Sequence, residues 1–309
     1  DKPYLTLDPK VEADTIRALG KIIESGHLHK GVKPVYWSVV GGSALAEAEV
    51  EYQDKTSWSI DVSYLFTEAG SAQAKAALSL EANTAPISLV IWTTTPWTLP
   101  SSQAVSLNAE LDYVALTTGS TEEVFVVAEA LIESFVERVE WADHRIIGRA
   151  KGQDFEGLEL QHPFYDRLLP VLLGDHVTTE AGTGAVHTAP DHGEDDFYVG
   201  RRNGLGVLNY VDDHGLFRDQ VEFFAGEHVY KVDPLVIEKL RDNGRLLAAS
   251  QFSHSYPHCW RTKTPLIYRA TPQWFISMNQ KGLLARVKEL VDEVSWVPSW
   301  GRARIDSML

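Results

Sequence analysis

The feature of this sequence that most constrains its fold is a segment in which apolar and polar side chains alternate strictly. The segment covers positions 57–66, and serines and one aspartate fill the intervening positions up to 63. Its apolar members are Trp58, Ile60, Val62, Tyr64 and Phe66. A period of two residues is typical of a β-strand, so the pattern predicts a strand with one buried face.

Further strand-like runs indicate that the fold is rich in β-structure. They lie at 87–92, 113–117, 124–127, 168–173 and 185–188, and glycine, proline and asparagine residues separate them irregularly. Such spacing does not fit regular alternation of strands and helices. Helices are expected from Pro9, after the capping residue Asp8, and at 128–139, 194–202, 233–243 and 280–294. We therefore predict an α+β fold with a β-barrel-like core and peripheral helices.

Composition excludes several classes of protein. The 309 residues include 43 acidic and 28 basic side chains, for a net charge of −15, which argues against a general nucleic-acid binder with a basic stripe. Any contact with a nucleic acid must then be local or must use positive charge from parts outside this sequence. No run of 18 apolar residues predicts a membrane span, and the first residues, Asp1 to Tyr4, do not resemble a secretory signal. A single cysteine, Cys259, fits a reducing compartment, so we expect a cytoplasmic protein.

The first segment that could carry chemistry is Trp-Thr-Thr-Thr-Pro-Trp-Thr-Leu-Pro at 92–100. Its three successive threonines place three hydroxyl groups where a strand meets a proline-containing turn. Because each hydroxyl can donate and accept a hydrogen bond, the segment suits a polar, neutral ligand such as a sugar or an ester. The alternative is a strand edge whose threonines satisfy the turn.

The second segment covers 182–197 and begins like a dinucleotide-binding fingerprint, with Gly182 and Gly184. His187 replaces the third glycine and the segment continues as a strand, so we exclude that interpretation. The acidic pair Asp195 and Asp196 lies near a predicted helix start, where carboxylates are favoured as caps. A carboxylate in a cleft would equally bind an ammonium group, and the pattern leaves both interpretations open.

Metal binding is a competing interpretation of two clusters. One comprises His187, His192, Asp195 and Asp196, whose spacing matches no compact zinc motif. The other is His254, His258 and Cys259, which lacks a second ligand pair. Packed histidines are the favoured interpretation of the second cluster. The sequence also contains no Gly-x-Ser-x-Gly nucleophile motif.

Taken together, the segments 92–100 and 182–197 resemble the paired signatures of the editing domain of bacterial class I isoleucyl-tRNA synthetases. Valyl and leucyl relatives typically carry Thr-Thr-Arg-Pro and lack the histidine at position 187. The resemblance extends over essentially the whole chain. It implies a leading stem with a degenerate zinc knuckle at 1–56, an editing core at 57–250, and a return stem at 251–309 that leads to the catalytic domain. The stem is thus formed by the two chain ends.

The resemblance implies hydrolysis of the ester in mischarged Val-tRNA(Ile), as double-sieve proofreading. In that family the residue at Asp196 holds the α-ammonium group, and the residue at His187 forms the pocket wall that excludes isoleucine. Thr94 and Thr95 match threonines that position the terminal adenosine, the ester and the attacking water. The remaining pocket positions are Thr93 and Thr98, and Trp92 and Trp97, which either pack or stack near the adenosine.

The resemblance also sets expectations about cofactors and partners. Many relatives hold zinc between two Cys-x-x-Cys pairs, but the corresponding positions here are Ser38 with Gly41 and Cys259 with Thr262, so we predict no zinc. ATP and magnesium are expected to serve only the catalytic domain of the parent ligase. The expected ligands are the valine-carrying 3′ end of tRNA(Ile) and valine or valyl-adenylate, bound by a monomer. The family usually has glycine where this chain has Asp191. The alternative is a non-catalytic module that binds the tRNA end.

Overall fold

The computed structural model describes residues 5–309, which form two compact units. The smaller unit combines the residues up to Val32 with Pro272–Leu309, and the larger unit is Lys33–Thr271. The first four residues of the predicted 1–56 segment lie outside the described residues.

The helices of residues 5–309 include four that the sequence predicts in position. The full set is α1 (Pro9–Glu24), α2 (Glu68–Ala77), α3 (Ile132–Arg138), α4 (Glu194–Arg202), α5 (Asp233–Asp242), α6 (Leu283–Glu293) and α7 (Gly301–Asp306). Asp8 caps α1, because its side chain accepts a hydrogen bond from the Lys10 N–H at 2.9 Å. The predicted helix at 128–139 is shorter than expected, since the preceding strand continues to Ala128.

The strands lie in three sheets within the described part of the chain. They are β1 (Leu28–Ser38), β2 (Ser43–Leu45), β3 (Val50–Leu65), β4 (Ile87–Thr93), β5 (Ala104–Leu107), β6 (Asp112–Thr118), β7 (Thr121–Ala128), β8 (Arg145–Lys151), β9 (Glu159–Gln161), β10 (Leu168–Leu173), β11 (Ala185–Thr188), β12 (Leu246–Cys259) and β13 (Ile267–Ile276). The sheet orders are β12-β3-β4-β7-β6-β8, β11-β5-β10-β9 and β13-β1-β2. Parallel pairs (β4 with β7 and β5 with β10) occur in the two larger sheets.

The α+β class is confirmed, but the barrel-like core requires correction. In residues 5–309 each sheet is open, with β12 and β8 at the two edges of the largest sheet. The largest sheet does not close into a barrel, because its two edge strands, β12 and β8, do not pair with each other. The buried core of the larger unit therefore lies against open sheets and not inside a closed barrel.

The alternating segment does form a strand, but the expectation of one buried face is wrong. Ile60, Val62 and Tyr64 are fully buried, and Asp61 and Ser63 on the opposite face are buried as well. Asp61 is compensated by Arg138, whose Nε and Nη2 donate to its two carboxylate oxygens at 2.9 and 2.8 Å. The polar positions of the alternating segment, from 57 to 63, are thus buried and hydrogen-bonded.

The predicted segment boundaries fall inside strands of the larger unit. The boundary after residue 56 lies within β3, and the boundary after residue 250 lies within β12. These two strands pair antiparallel from Val50 with Cys259 to Val62 with Leu246. The functional division into two stems and an editing core stays a prediction.

Candidate functional site

A cavity of about 270 Å³ lies at the carboxyl end of β4 in the larger unit. Strand β4 contributes Trp92 and Thr93, and Thr94 begins the turn that follows. The other lining residues are His176, Thr178 and the segment Ala181, Gly182, Thr183, Gly184, Ala185 and Val186. The two sequence segments that predict a site therefore meet at one cavity.

Buried packing fixes the position of the threonine turn. The β4 residues Ile87 to Ile91 are inaccessible to solvent, which is typical of a central strand. At its end the Trp92 indole N–H donates to the Ser59 hydroxyl at 2.7 Å. A short 3₁₀ helix, Pro96–Ser101, begins with proline at its first position, where the missing N–H costs no hydrogen bond.

The Gly-Thr-Gly segment needs its glycines for close packing. Gly184 has φ +77°, and a β-carbon there would lie 2.3 Å from the Ala128 Cβ. Gly182 has φ +87° and lies beside the Trp92 ring. Between them, the Thr183 hydroxyl donates to the Val90 carbonyl at 2.7 Å. This segment is consequently held against β4 and forms the opposite side of the cavity.

A chain of hydroxyl groups links the cavity to His187. Thr93 Oγ1 lies 3.2 Å from Thr95 Oγ1, which lies 3.5 Å from Thr98 Oγ1. Thr98 Oγ1 donates to the Thr95 carbonyl and lies 3.1 Å from the His187 Nε2. Trp92, Thr93 and Thr94 line the cavity, whereas the other predicted site residues are not among its lining residues: these are Thr95, Trp97, Thr98, His187 and Asp196.

His187 is a neutral side chain in this network. It lies on β11, where it pairs with Val105 of β5, and it is buried. The pKa of His187 is lowered to about 4, chiefly by burial and to a smaller extent by the neighbouring His192. Its Nδ1 is buried and has no hydrogen-bond partner among the described residues. An uncharged, sterically fixed ring at this position can discriminate by shape.

Asp196 lies in the first turn of α4 and reaches back toward the end of β11. Its Oδ2 accepts a hydrogen bond from the Ala189 N–H at 3.0 Å, two residues beyond His187. Burial raises the pKa of Asp196 to about 7, the Ala189 N–H opposes the shift, and Asp195 adds to it. A cation beside this carboxylate would restore its charge, so the group is suited to an ammonium ligand.

Trp97 is a packing residue and not a wall of the cavity. Its side chain is buried and contacts the His192 ring edge to face at 4.8 Å. Its backbone N–H donates to the Asp233 carboxyl group at 3.0 Å. Of the two tryptophans that the sequence selected, Trp92 therefore borders the cavity and Trp97 anchors the turn.

Asp191, the position at which this chain departs from the resembled family, is buried and fully hydrogen-bonded. Its two carboxylate oxygens accept from the backbone N–H groups of Leu208 and Asn209 at 2.8 and 2.6 Å. The adjacent His192 lies 3.1 Å from the Ser101 hydroxyl through Nε2 and 2.9 Å from the Tyr268 carbonyl through Nδ1. Asp191 thus secures a loop, and its negative charge is compensated by backbone donors.

The proposed metal clusters do not assemble a ligand set in residues 5–309, because no three His, Cys, Asp or Glu side chains there are grouped closely enough to hold an ion. The knuckle positions Ser38, Gly41, Cys259 and Thr262 do border one cavity of about 120 Å³. One thiol in place of four does not fit a structural zinc ion. Burial raises the pKa of that thiol, but hydrogen bonds, chiefly from Thr262, outweigh burial and lower it overall.

His176 is the site residue that sequence reasoning missed. It is the titratable side chain among the residues that line the cavity. Burial lowers its pKa, against the opposing effect of Asp195. Gly174 makes room for the ring, since a β-carbon there would lie 2.5 Å from its Cε1. A lone histidine in a loop carries no pattern that could have identified it.

Comparison with known proteins agrees with this geometry. The family model for class I tRNA synthetases (I, L, M and V) matches residues 1–309, so the chain belongs to the class I tRNA synthetases. Among its curated relatives, the isoleucine–tRNA ligase of Saccharophagus degradans is 63% identical over 309 residues. That of Teredinibacter turnerae is 64% identical over 310 residues. The alignments cover 100% of this chain and 33% of each relative, so the chain spans about a third of their length.

A solved structure shares the fold at low sequence identity. The crystal structure named GlLeuRS-CP1 aligns with a TM-score of 0.51 and 15% identity, over 62% of this chain and 99% of that chain. At this identity the likeness concerns the fold alone. Separately, none of the helices described for this protein is long and apolar enough to cross a membrane.

Proposed function

We propose that this chain is the editing region of an isoleucyl-tRNA synthetase and hydrolyses the ester that joins valine to tRNA(Ile). The observation that carries the proposal is the cavity at the end of β4, where the threonine turn faces the Gly-Thr-Gly segment. The wall is neutral and rich in hydroxyl groups, which suits an aminoacyl ester on a ribose. The 63% identity to an isoleucine–tRNA ligase supports the substrate class.

We assign a role to each residue from the chemistry of its side chain. Thr94 and Thr95 hold the terminal adenosine, the ester and the attacking water through their hydroxyls. Thr93 and Thr98 extend that network. The water oxygen bonds to the ester carbonyl carbon, and the bond to the ribose oxygen then breaks. We assign the proton transfer to the neighbouring ribose hydroxyl and the bound water, which are part of the substrate complex.

Asp196 binds the α-ammonium group of the amino acid in this proposal. Its position at a helix N-terminus stabilises the negative charge, and burial strengthens an ion pair with a bound cation. Trp92 borders the site and limits the space for the adenosine.

His187 provides the sieve. One methylene group in an apolar pocket changes the free energy of binding by only ~1–3 kcal/mol. A site that joins isoleucine to tRNA therefore cannot reject valine accurately by itself. A second site that accepts valine and rejects isoleucine multiplies the selectivity. The proposal assigns this role to His187, whose buried ring is held by Thr98 in the hydroxyl network that begins at the cavity.

The test compares deacylation of valyl-tRNA(Ile) and isoleucyl-tRNA(Ile) by this chain, with and without EDTA. We expect release of valine only, at the same rate in both conditions. Release that EDTA abolishes would support a metallohydrolase. Binding of the tRNA end without release would support a non-catalytic binding module.

The same proposal extends to the cofactors and setting of the chain. We propose that it holds no zinc, that ATP and magnesium act elsewhere in a longer ligase, and that it is a monomeric, cytoplasmic protein. Valine and valyl-adenylate are further proposed ligands of the cavity. Elemental analysis of the purified chain and sedimentation measure two of these properties directly, and stoichiometric zinc would contradict the first.

A further inference from the structure

A row of aromatic rings leads away from the cavity along β12. Trp92, in the cavity wall, contacts Phe252 edge to face, with ring centroids 5.8 Å apart. Phe252 lies 5.6 Å from the His254 ring, and His254 lies 5.5 Å from the Tyr256 ring. Because the last three residues alternate along a strand, their side chains share one face of the sheet.

The part of this row next to the cavity is open to solvent. Phe252 is 40% exposed, whereas Tyr256 is 8% exposed and packed. His254 is partly exposed, and its Nε2 lies 3.1 Å from the Ser57 hydroxyl. Burial and the nearby Lys55 lower the pKa of His254, so its ring is neutral at pH 7. The exposed rings are therefore apolar or uncharged and are held in place by the strand.

The charged groups around this row occur in oppositely charged pairs. Lys55 pairs with His254 across the sheet, and its Nζ lies 4.2 Å from the centroid of the Tyr256 ring. The carboxyl group that faces Lys55 is Asp233, which accepts the Trp97 N–H and whose pKa burial raises to about 6. Farther along the face, Asp61 is buried and paired with Arg138. In a chain of net charge −15, the exposed rings therefore adjoin groups whose charges compensate one another, and no unpaired carboxylate among those named here repels a nucleotide.

We propose that Phe252 and His254 form a stacking platform for the nucleotide that precedes the terminal adenosine of the tRNA 3′ end. The inference rests on the proposed function, which places the terminal adenosine and its ester in the cavity. Trp92 borders the cavity and Phe252 is the exposed ring in contact with it, so a nucleotide that leaves the cavity on this side meets Phe252. Unpaired bases stack on aromatic side chains with little dependence on sequence, because every base presents a flat π-face.

The experiment measures binding of a 5′-fluorescein-labelled CCA trinucleotide by anisotropy, with unlabelled adenosine as a separate ligand. Phe252→Ala is expected to weaken trinucleotide binding about ten-fold and to leave adenosine binding unchanged. Phe252→Trp keeps a ring and is expected to restore binding. Phe223→Ala is the matched control, because Phe223 is 50% exposed in the same unit but stacks on Tyr165 away from the cavity.

The possible results distinguish a failure of the stacking platform from a failure of the proposed hydrolysis. Unchanged trinucleotide binding in Phe252→Ala, or an equal loss in Phe223→Ala, would overturn the platform. Failure of the unaltered chain to release valine would overturn the proposed hydrolysis alone, because the binding measurement does not depend on turnover. With an active chain, Phe252→Ala is expected to raise KM for valyl-CCA about ten-fold at constant kcat, and to leave hydrolysis of valyl-adenosine unchanged.

Discussion

At the scale of single residues, the site is governed by how burial changes the charge of two side chains. His187 is buried and its pKa falls to about 4, so it is neutral at pH 7. Asp196 is partly buried and its pKa rises to about 7, so it is close to half-charged at pH 7. In the proposed roles, His187 as a pocket wall benefits from neutrality, whereas Asp196 needs its charge to bind an ammonium group. The pH dependence of the reaction should therefore report on Asp196.

We predict that kcat/KM for valyl-tRNA(Ile) rises with pH through an inflection near 7 and falls again at higher pH, where the α-ammonium group of the substrate loses its proton. Below that pH the Asp196 carboxyl group is protonated and cannot pair with the ammonium group; above it the group is charged. Asp196→Ala should abolish deacylation. Asp195→Asn is the matched control, and it should keep activity while moving the inflection to lower pH, because Asp195 raises the pKa of its neighbour. Full activity in Asp196→Ala would contradict the assignment.

Thr98 offers a second test at this scale, because its hydroxyl is the partner of the His187 Nε2. Thr98→Val keeps the shape and leaves both ring nitrogens of His187 without a partner. We expect the free energy of unfolding to fall by about 1–3 kcal/mol, as urea denaturation would measure, and selectivity for valine over isoleucine to decline. Thr98→Ser retains the hydroxyl and should preserve both properties. An equal loss in the two variants would contradict the role of this hydrogen bond, because Thr98→Ser keeps it.

At the scale of elements, the sequence predicted the helices and strands that have a strong local pattern. Helix α4 has its expected bounds, because three acidic residues begin it and two arginines end it. Strand β12 was not predicted, because its serine- and histidine-rich sequence has no apolar alternation and depends on pairing with β3. Helix α2 is alanine-rich and lacks an apolar stripe, so its pattern is weak.

The candidate site likewise has parts that the sequence predicted and parts that it did not. The threonine turn and the Gly-Thr-Gly segment were found because each is continuous in sequence. Their meeting at one cavity, and the presence of His176 there, depend on how β4 and β11 are placed by other strands. The buried role of Asp61 was likewise not predictable, since it requires the distant Arg138.

Asp191 provides the test at the element scale, because it holds the loop through Leu208 and Asn209. Asp191→Ala removes both acceptors and leaves two backbone N–H groups unsatisfied. We expect the free energy of unfolding to fall by about 3 kcal/mol in urea denaturation. Asp191→Asn keeps one acceptor oxygen and should lose less. Asp219→Ala, at an exposed position of the same unit, should have little effect, and a similar loss there would argue against a specific clamp.

At the scale of the whole molecule, the net charge opposes binding of the proposed substrate. The chain carries a charge of −15 and tRNA is also negative, so the two repel each other at long range. Binding at the cavity must then depend on hydroxyl groups, rings and a few local cations such as Lys55 and Arg138. Affinity for the tRNA end should consequently respond weakly to salt.

We predict that the association constant of the CCA trinucleotide falls with salt concentration, with a slope of about −1 in a double-logarithmic plot. This slope corresponds to the release of about one or two counterions on binding. Anisotropy titrations between low and moderate KCl measure that slope. Lys55→Gln should reduce its magnitude, whereas Lys75→Gln, an exchange on helix α2, should not. A slope steeper than about −3 would show an extensive basic surface and contradict the local character of binding.

The long ladder between β3 and β12 has a consequence for how the protein is made. Its paired residues, from Val50 with Cys259 onward, are separated by about 200 positions in the chain. At roughly 5–20 residues per second, a ribosome needs about 10 to 40 seconds to make the second strand after the first. During that interval the β12-facing edge of β3 lacks its partner. Nascent chains stalled before residue 246 should therefore bind chaperones that capture unpaired strands, and chains released after residue 259 should not.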